Sequence, residues 1–227
     1  HAISKKFKTK VSLLVKESSK ASDLLSYDKN IDEIIILDKD KDGIKGFFKL
    51  SNEIKKRNFD KVFIFNSSLR YNLIAKFSGI KSIFQYPLFR SKDNLVHSAK
   101  IFTENVTNEI VSTESNLNIK SIDEFDKNIK HIILGIAASG ESKKWDIQNY
   151  IRLAQELKKK HKCKFYLAGG IKDIDLIKKF KDSGVDDKCE SFEKLTIKET
   201  LPIIKNCDLV VSNDTGFAHI ACALKVK

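Results

Sequence analysis

The feature that most limits how this chain can fold is an alternation that it runs through twice. Short apolar runs rich in β-branched residues stand at 11–15, 33–37, 62–65 and 81–86, with helical periodicity between them at about 17–27, 43–57 and 69–77. Parallel strands need connections of that length, because the chain must return to the starting edge of the sheet before it pairs again. The run Ile34-Ile35-Ile36-Leu37 is apolar at every position, as a strand covered on both faces must be. Asn66-Ser67-Ser68 closes the third run, and Gly79 ends the helix after it.

After Pro87 the pattern weakens into a basic stretch and then a helix at about 94–105. Residues 107–130 are rich in Asn, Ser, Asp and Glu without clear periodicity. That is too long for an ordinary loop inside a compact domain, so it reads as a linker with room for a short strand or turn. From 131 the alternation restarts, with strands at 131–134, 163–168 and 209–211 and helices at 147–160, 172–181 and 196–204. Asp146 is placed to cap the first of these helices, and Thr196-Ile-Lys-Glu199 is a capping box for the last. The expected architecture is α/β: Rossmann-like domains over 1–106 and 131–227, joined by 107–130 and facing a cleft.

At 227 residues the chain can bury two such cores. No apolar run approaches the roughly 18 residues needed to cross a bilayer, and the start, His1-Ala-Ile-Ser-Lys-Lys6, has no signal-peptide pattern. There is no Met, and the chain stops at Lys225-Val-Lys227 just after a helix, where another strand is due. Both ends are therefore expected to be internal to a longer protein. The net charge of +12 comes almost wholly from lysine, with Arg only at Arg57, Arg70, Arg90 and Arg152. Lysines spread over every expected helix read as solvated surface, whereas a nucleic-acid binder more often clusters Arg and aromatics on one element. The surplus still favours an anionic substrate or an anionic membrane surface. Cys163, Cys189, Cys207 and Cys222 lack C-x-x-C spacing and read as reduced thiols of a cytoplasmic protein, with no zinc site.

Three strand-end loops of the second half carry candidate chemistry. In Asp208–Leu224 a short apolar run leads through Ser212-Asn-Asp-Thr-Gly216 into a helix, an arrangement that aims free backbone N–H groups and a helix dipole at one crevice. Thr215 is a candidate cap, and His219 lies one turn on along the same face, so the two could share a ligand. A capped helix with a surface His is the plain alternative. The upstream loop Ala137-Ala-Ser-Gly-Glu-Ser-Lys-Lys-Trp145 leaves the same edge of the sheet. There Ser139 and Gly140 let a phosphate approach the backbone and Lys143 supplies a cation, while Lys144 reads as solvent-facing and Trp145 as packing. In Gly169-Gly170-Ile-Lys-Asp173 an acid that could accept from ribose hydroxyls follows two glycines; Asp175 is the alternative, and a plain helix-terminal acid the simpler reading. Neither a Walker pattern nor Gly-x-Gly-x-x-Gly is present.

Taken together, Ser139 to Trp145 with Lys143, Gly169-Gly170, and Asp214-Thr-Gly-x-x-His219-Ile-Ala resemble glycosyltransferase family 9, the ADP-heptose–lipopolysaccharide heptosyltransferases and their relatives. In the first half, Asn30-Ile-Asp-Glu-Ile34, Ser68 with Arg70, and His97 fall where that family has similar features. The resemblance implies a GT-B fold with the donor held mainly by the C-terminal half. It implies metal-independent, inverting transfer from a nucleotide sugar, ADP-sugar favoured, to a lipopolysaccharide-type acceptor, with no cofactor. By the same resemblance, Lys143, Ser139 and the Thr215-Gly216 helix start stabilise the leaving diphosphate. Asp214 holds sugar hydroxyls, His219 a phosphate or sugar oxygen, and Asp173 the ribose. A protein of this kind is expected to be cytoplasmic, at the inner-membrane face.

Two departures stand out. Ala137 occupies a position where relatives have Gly. The family's general base, an Asp beside a Gly after the first strand, falls before the chain begins, so no base is assigned and this stretch alone need not be active. The other readings are a UDP-sugar donor, a non-catalytic nucleotide- or sugar-binding module of the same shape, and a nucleic-acid binder.

Overall fold

The structure is a computed structural model that describes residues 1–86, 94–120 and 125–227. The basic stretch after Pro87 lies outside the described residues, as do residues 121–124 of the expected linker. The chain forms two units, one of residues 1–19 and 29–113, the other of residues 20–28 and 114–227.

In the first unit, helix α1 (Ala2–Phe7) precedes strand β1 (Val11–Lys16). The next helix, α2 (Ala21–Leu24), belongs to the second unit. The first unit resumes with β2 (Ile31–Leu37), α3 (Gly43–Lys56), β3 (Lys61–Ile64), α4 (Leu69–Phe77), β4 (Ser82–Gln85) and α5 (Leu95–Thr107). β1 pairs in parallel with β2, and β3 in parallel with β4. Leu14, Leu37, Val62 and Ile83, one from each strand, pack on a core made by Leu50 and Ile54 of α3, Ile74 and Ala75 of α4, and Ile80. Gly46 lets the first turn of α3 close onto the preceding turn, since a Cβ there would meet the Lys41 carbonyl carbon at 2.1 Å. Lys41 itself is buried but fully engaged. Its ammonium donates to the Ile36 carbonyl at 2.6 Å and pairs with Glu53 at 3.3 Å, as a buried charge must.

The helix expected over 17–27 is instead a 3-10 turn, Glu17–Ser19, followed by the four-residue α2. Serine hydroxyls account for the difference. Ser19 donates to the Lys16 carbonyl at 2.6 Å and Ser26 to the Asp23 carbonyl at 3.3 Å, offering the backbone local partners that compete with helix.

The second unit carries β5 (Lys130–Gly135), α6 (Ile147–Lys160), β6 (Cys163–Leu167), α7 (Ile174–Asp182), β7 (Glu190–Ser191), α8 (Ile197–Asn206), β8 (Leu209–Ser212) and α9 (Gly216–Ala223). All four strands are parallel, in the order β7-β6-β5-β8. Side chains alternate across the sheet with period two. Ile132, Leu134, Phe165 and Leu167 face α6 and α7 with Ile151, Ala154 and Phe180, whereas Ile133, Tyr166 and Ala168 face α8 and α9 with Leu201, Ile204 and Ile220. Both expected helix starts form: Asp146 accepts the Gln148 N–H at 2.7 Å, and Thr196 and Glu199 close a reciprocal capping box.

The segment expected as a linker does more than connect. Leu117, Ile119 and Phe125 pack on the second core, and Phe125 lies over His131 with ring centroids 4.5 Å apart. All four cysteines are free thiols, and burial pushes Cys189 and Cys207 up to about 12, which keeps them protonated and unreactive.

Candidate functional site

From β5 the chain steps outward to β6 and β7, and α8 then returns it to β8 on the other side of β5. Strand order therefore reverses between β5 and β8. The helices that follow these two strands, α6 and α9, cover opposite faces of the sheet, so the two loops leave neighbouring strand ends in opposite directions, the arrangement at which open α/β sheets bind ligands. β5 and β8 come close at this point. A Cβ on Gly135 would lie 2.0 Å from the Ser212 hydroxyl oxygen, so only glycine fits there.

The loop after β5 makes a 3-10 turn at Glu141–Lys143, tied by the Lys143 N–H to the Gly140 carbonyl at 3.0 Å. From this turn the Lys143 ammonium reaches Asp214 Oδ2 at 2.8 Å, across the reversal point. The ion pair holds the Asp214 carboxyl below the usual carboxylate range, with the hydrogen bond from Lys143 as the main cause and the charge of Lys143 second. His219 Nε2, one turn into α9, stands 3.8 Å from the other Asp214 oxygen. Lys143, Asp214 and His219 thus form one exposed group beside the start of α9. A Cβ on Gly216 would meet nothing within 4 Å, so the backbone at this helix start is open to approach.

Thr215 occupies the N-cap position of α9, but its side chain makes no capping bond, contrary to expectation. Its hydroxyl lies 3.3 Å from that of Ser212, which turns it toward the strand end. Ser139 is exposed on the same loop as Lys143. Asp173 sits after the neighbouring strand, β6, where one of its carboxylate oxygens accepts the Gly170 N–H at 2.9 Å and its own N–H donates to the Gly170 carbonyl at 2.9 Å. Trp145 packs edge-on against Tyr150 at 4.7 Å, and the Tyr150 hydroxyl donates to the Gly135 carbonyl at 2.9 Å. In the first unit, Arg70 donates to the Lys41 carbonyl at 2.7 Å, a structural tie, and His97 is exposed on α5.

One residue of this site escaped sequence reasoning. Asn213 is only 8% exposed, and its amide donates to the carbonyls of Ile136 (3.2 Å) and Ala137 (3.1 Å) while accepting the Trp145 N–H (3.0 Å). Its backbone N–H continues the strand pairing to the Gly135 carbonyl at 3.1 Å. In the sequence it is simply a polar turn residue, and nothing local announces partners about seventy residues away.

A parallel α/β sheet with its polar cluster at a strand-order reversal is Rossmann-like, the class of fold from which GT-B proteins are built. The chain belongs to glycosyltransferase family 9 (heptosyltransferase), whose family model matches residues 95–227, more than half of its length. Among individual proteins it is 23% identical over 163 residues to lipopolysaccharide heptosyltransferase 1 of Campylobacter coli, covering 70% of this chain and 45% of that protein. It is 31% identical over 103 residues to lipooligosaccharide heptosyltransferase 2 of Campylobacter jejuni, covering 42% of this chain and 32% of that protein. The matched stretches thus span less than half of these relatives. The fold is similar to that of the solved ADP-heptose lipopolysaccharide heptosyltransferase II of E. coli, with a TM-score of 0.75 and 17% identity, over 99% of this chain and 76% of that one.

Proposed function

We propose that this chain forms the nucleotide-sugar-binding part of an inverting, metal-independent glycosyltransferase that passes heptose or a related sugar to a lipopolysaccharide-type acceptor. The observation that carries the proposal is the Lys143–Asp214–His219 group beside the open start of α9, at the strand-order reversal of the second unit. In the reaction an acceptor oxygen bonds to the anomeric carbon as the bond from that carbon to the diphosphate oxygen breaks. The electron pair leaves on the diphosphate, so negative charge grows there. Lys143, Ser139 and the N–H groups at Thr215 and Gly216 stabilise that charge without a metal ion. The diphosphate competes with Asp214 for Lys143, and Asp214, once released, accepts from the sugar hydroxyls. His219 takes a phosphate or sugar oxygen, and the oxygen of Asp173 not bonded to Gly170 takes the ribose. No residue of this chain is assigned as the base that removes the acceptor proton.

The names of the relatives, which include an ADP-heptose enzyme, support an ADP-type donor. Peripheral contact with an anionic membrane surface is a further part of the proposal. It is supported by the exposed Ile44 and Phe48 of α3 and Leu73 and Phe77 of α4, set among the exposed lysines Lys45, Lys49 and Lys76. Among the described residues no helix is long and apolar enough to cross a membrane.

Calorimetric titration with ADP tests the donor reading. Binding by the chain and weaker binding by Lys143→Ala are expected, and equal affinity in the two proteins would exclude Lys143 from the site.

A further inference from the structure

We infer that Asn213 is the positioning residue of this site: its buried amide fixes the loop that carries Lys143 against the turn that carries Asp214. The functional half of this inference rests on the donor reading above, and the structural half does not.

The three hydrogen bonds of the side chain define a closed circuit. The Ile136 and Ala137 carbonyls lie where the chain leaves β5, and the Trp145 N–H lies where the same loop enters α6, directly before the capping residue Asp146. One side chain from the far side of the strand-order reversal thus ties together both ends of the 137–145 loop. The next residue along is Asp214, so the circuit sets the distance between Lys143 and Asp214 at its source.

The Lys143–Asp214 pair cannot do this for itself. Both side chains are half or more exposed, and an ion pair in water contributes little to ordering a loop. The Asn213 amide is buried, so each of its bonds replaces one that water cannot restore without opening the loop. The chemistry also selects asparagine. The position calls for two donated hydrogens and one accepting oxygen on a short planar group. Aspartate keeps the acceptor but turns a negative oxygen toward two carbonyls, and serine has a single donor. The 3.1 and 3.2 Å contacts to successive carbonyls fit the two amide hydrogens.

Trp145 is the only tryptophan of the chain, so its fluorescence reports on this loop directly. Asn213→Ala and Asn213→Asp are compared with the wild type by far-UV circular dichroism, Trp145 emission and anisotropy, and calorimetric titration with ADP. The expected result is an unchanged far-UV spectrum, a red-shifted and more mobile Trp145, and ADP affinity reduced at least about tenfold. A residue that only stabilises the unit overall would lower the melting temperature but leave emission and affinity unchanged well below it. Unchanged emission overturns the inference, and so does unchanged affinity in variants of a wild type that binds ADP.

If the wild type binds no ADP, the donor reading fails, and emission alone then decides the role of Asn213. Should both variants fail to fold, hydrogen exchange on the wild type decides. The Trp145 amide is expected to exchange as slowly as the amides of β5, and exchange as fast as that of open loop amides overturns the inference.

Discussion

The Asp214 turn and the Asp173 loop share one local pattern, yet they make different structures. Each follows a parallel strand, each has glycine near an acid, and each opens a helix. Asp173 folds back on its own loop to the Gly170 N–H, whereas Asp214 reaches another loop and meets Lys143. The difference lies in strand order. After β6 the chain continues outward to β7 by way of α7, which packs on the same face as α6. Across the β5–β8 pair the order reverses, so two loops bound for opposite faces leave groups from distant parts of the sequence side by side. A local pattern can propose an acid, but topology decides what it faces.

The β5–β8 approach is the point most sensitive to substitution. Gly135→Val places side-chain atoms where the Ser212 hydroxyl stands, and overpacking of this kind costs about 1–3 kcal/mol. A lower urea midpoint is expected together with loss of ADP binding, because both loops spring from this contact. Gly140→Ala is the control within the same loop. Nothing lies within 4 Å of its added Cβ, so its unfolding free energy should stay within about 0.5 kcal/mol of the wild type.

Lys143→Ala leaves both loops standing and removes the cation between them. ADP affinity should fall roughly 10- to 100-fold, the scale of a charge-assisted contact to phosphate, with Lys143→Arg recovering part of it. Calorimetry in low and high salt sharpens the result, since the wild type should lose affinity with added salt more steeply than Lys143→Ala.

The opposite ends of the same strands supply a control on pH. His131, at the start of β5, is buried against Phe125, with Nδ1 2.9 Å from the Tyr166 hydroxyl. Burial holds it below the ordinary histidine value, outweighing the Asp126 backbone and the Asp208 charge, which pull it upward; Lys164 adds to the depression. The unfolded chain therefore takes up this proton at a higher pH than the folded one. Stability from His131 is complete above about pH 6.5 and declines as pH falls below it toward the depressed folded value. Urea midpoints at pH 7.5 and 5.5 should differ less in His131→Gln than in the wild type.

How far the sequence could anticipate all this depends on how local each feature is. The β-branched runs, the buried stripes of α3 and α6 and the Thr196–Glu199 box were legible, because periodicity and capping are settled within a few residues. The 17–27 helix was misjudged, since Ser19 and Ser26 hold the backbone in turns that helical periodicity does not register. β7, two residues long, is too short to leave a pattern. In the site, Lys143 and Asp214 could be proposed from their loops, but their contact could not. Asn213 carried no signal, because its value lies in carbonyls about seventy-five positions upstream.

The two acids themselves give the smallest effects, of opposite kinds. Asp173 holds a backbone N–H at a helix start, so Asp173→Ala should cost about 0.5–2 kcal/mol of stability, the usual range for a lost cap. Its effect on ADP affinity should be smaller than that of Lys143→Ala, because one of its oxygens is committed to Gly170. Asp214→Asn should leave the urea midpoint where it is, since Asp214 is exposed and its partner Lys143 is solvated equally well without it. Its effect should appear in binding. With Asp214 uncharged, Lys143 has no competing carboxylate, so inorganic pyrophosphate should bind Asp214→Asn more tightly than the wild type. A nucleotide sugar should gain less, because the charged acceptor for its sugar hydroxyls is gone. If pyrophosphate instead binds the variant more weakly, Asp214 supports the anion site directly, and its contrast with Asp173 would then rest on fold stability alone.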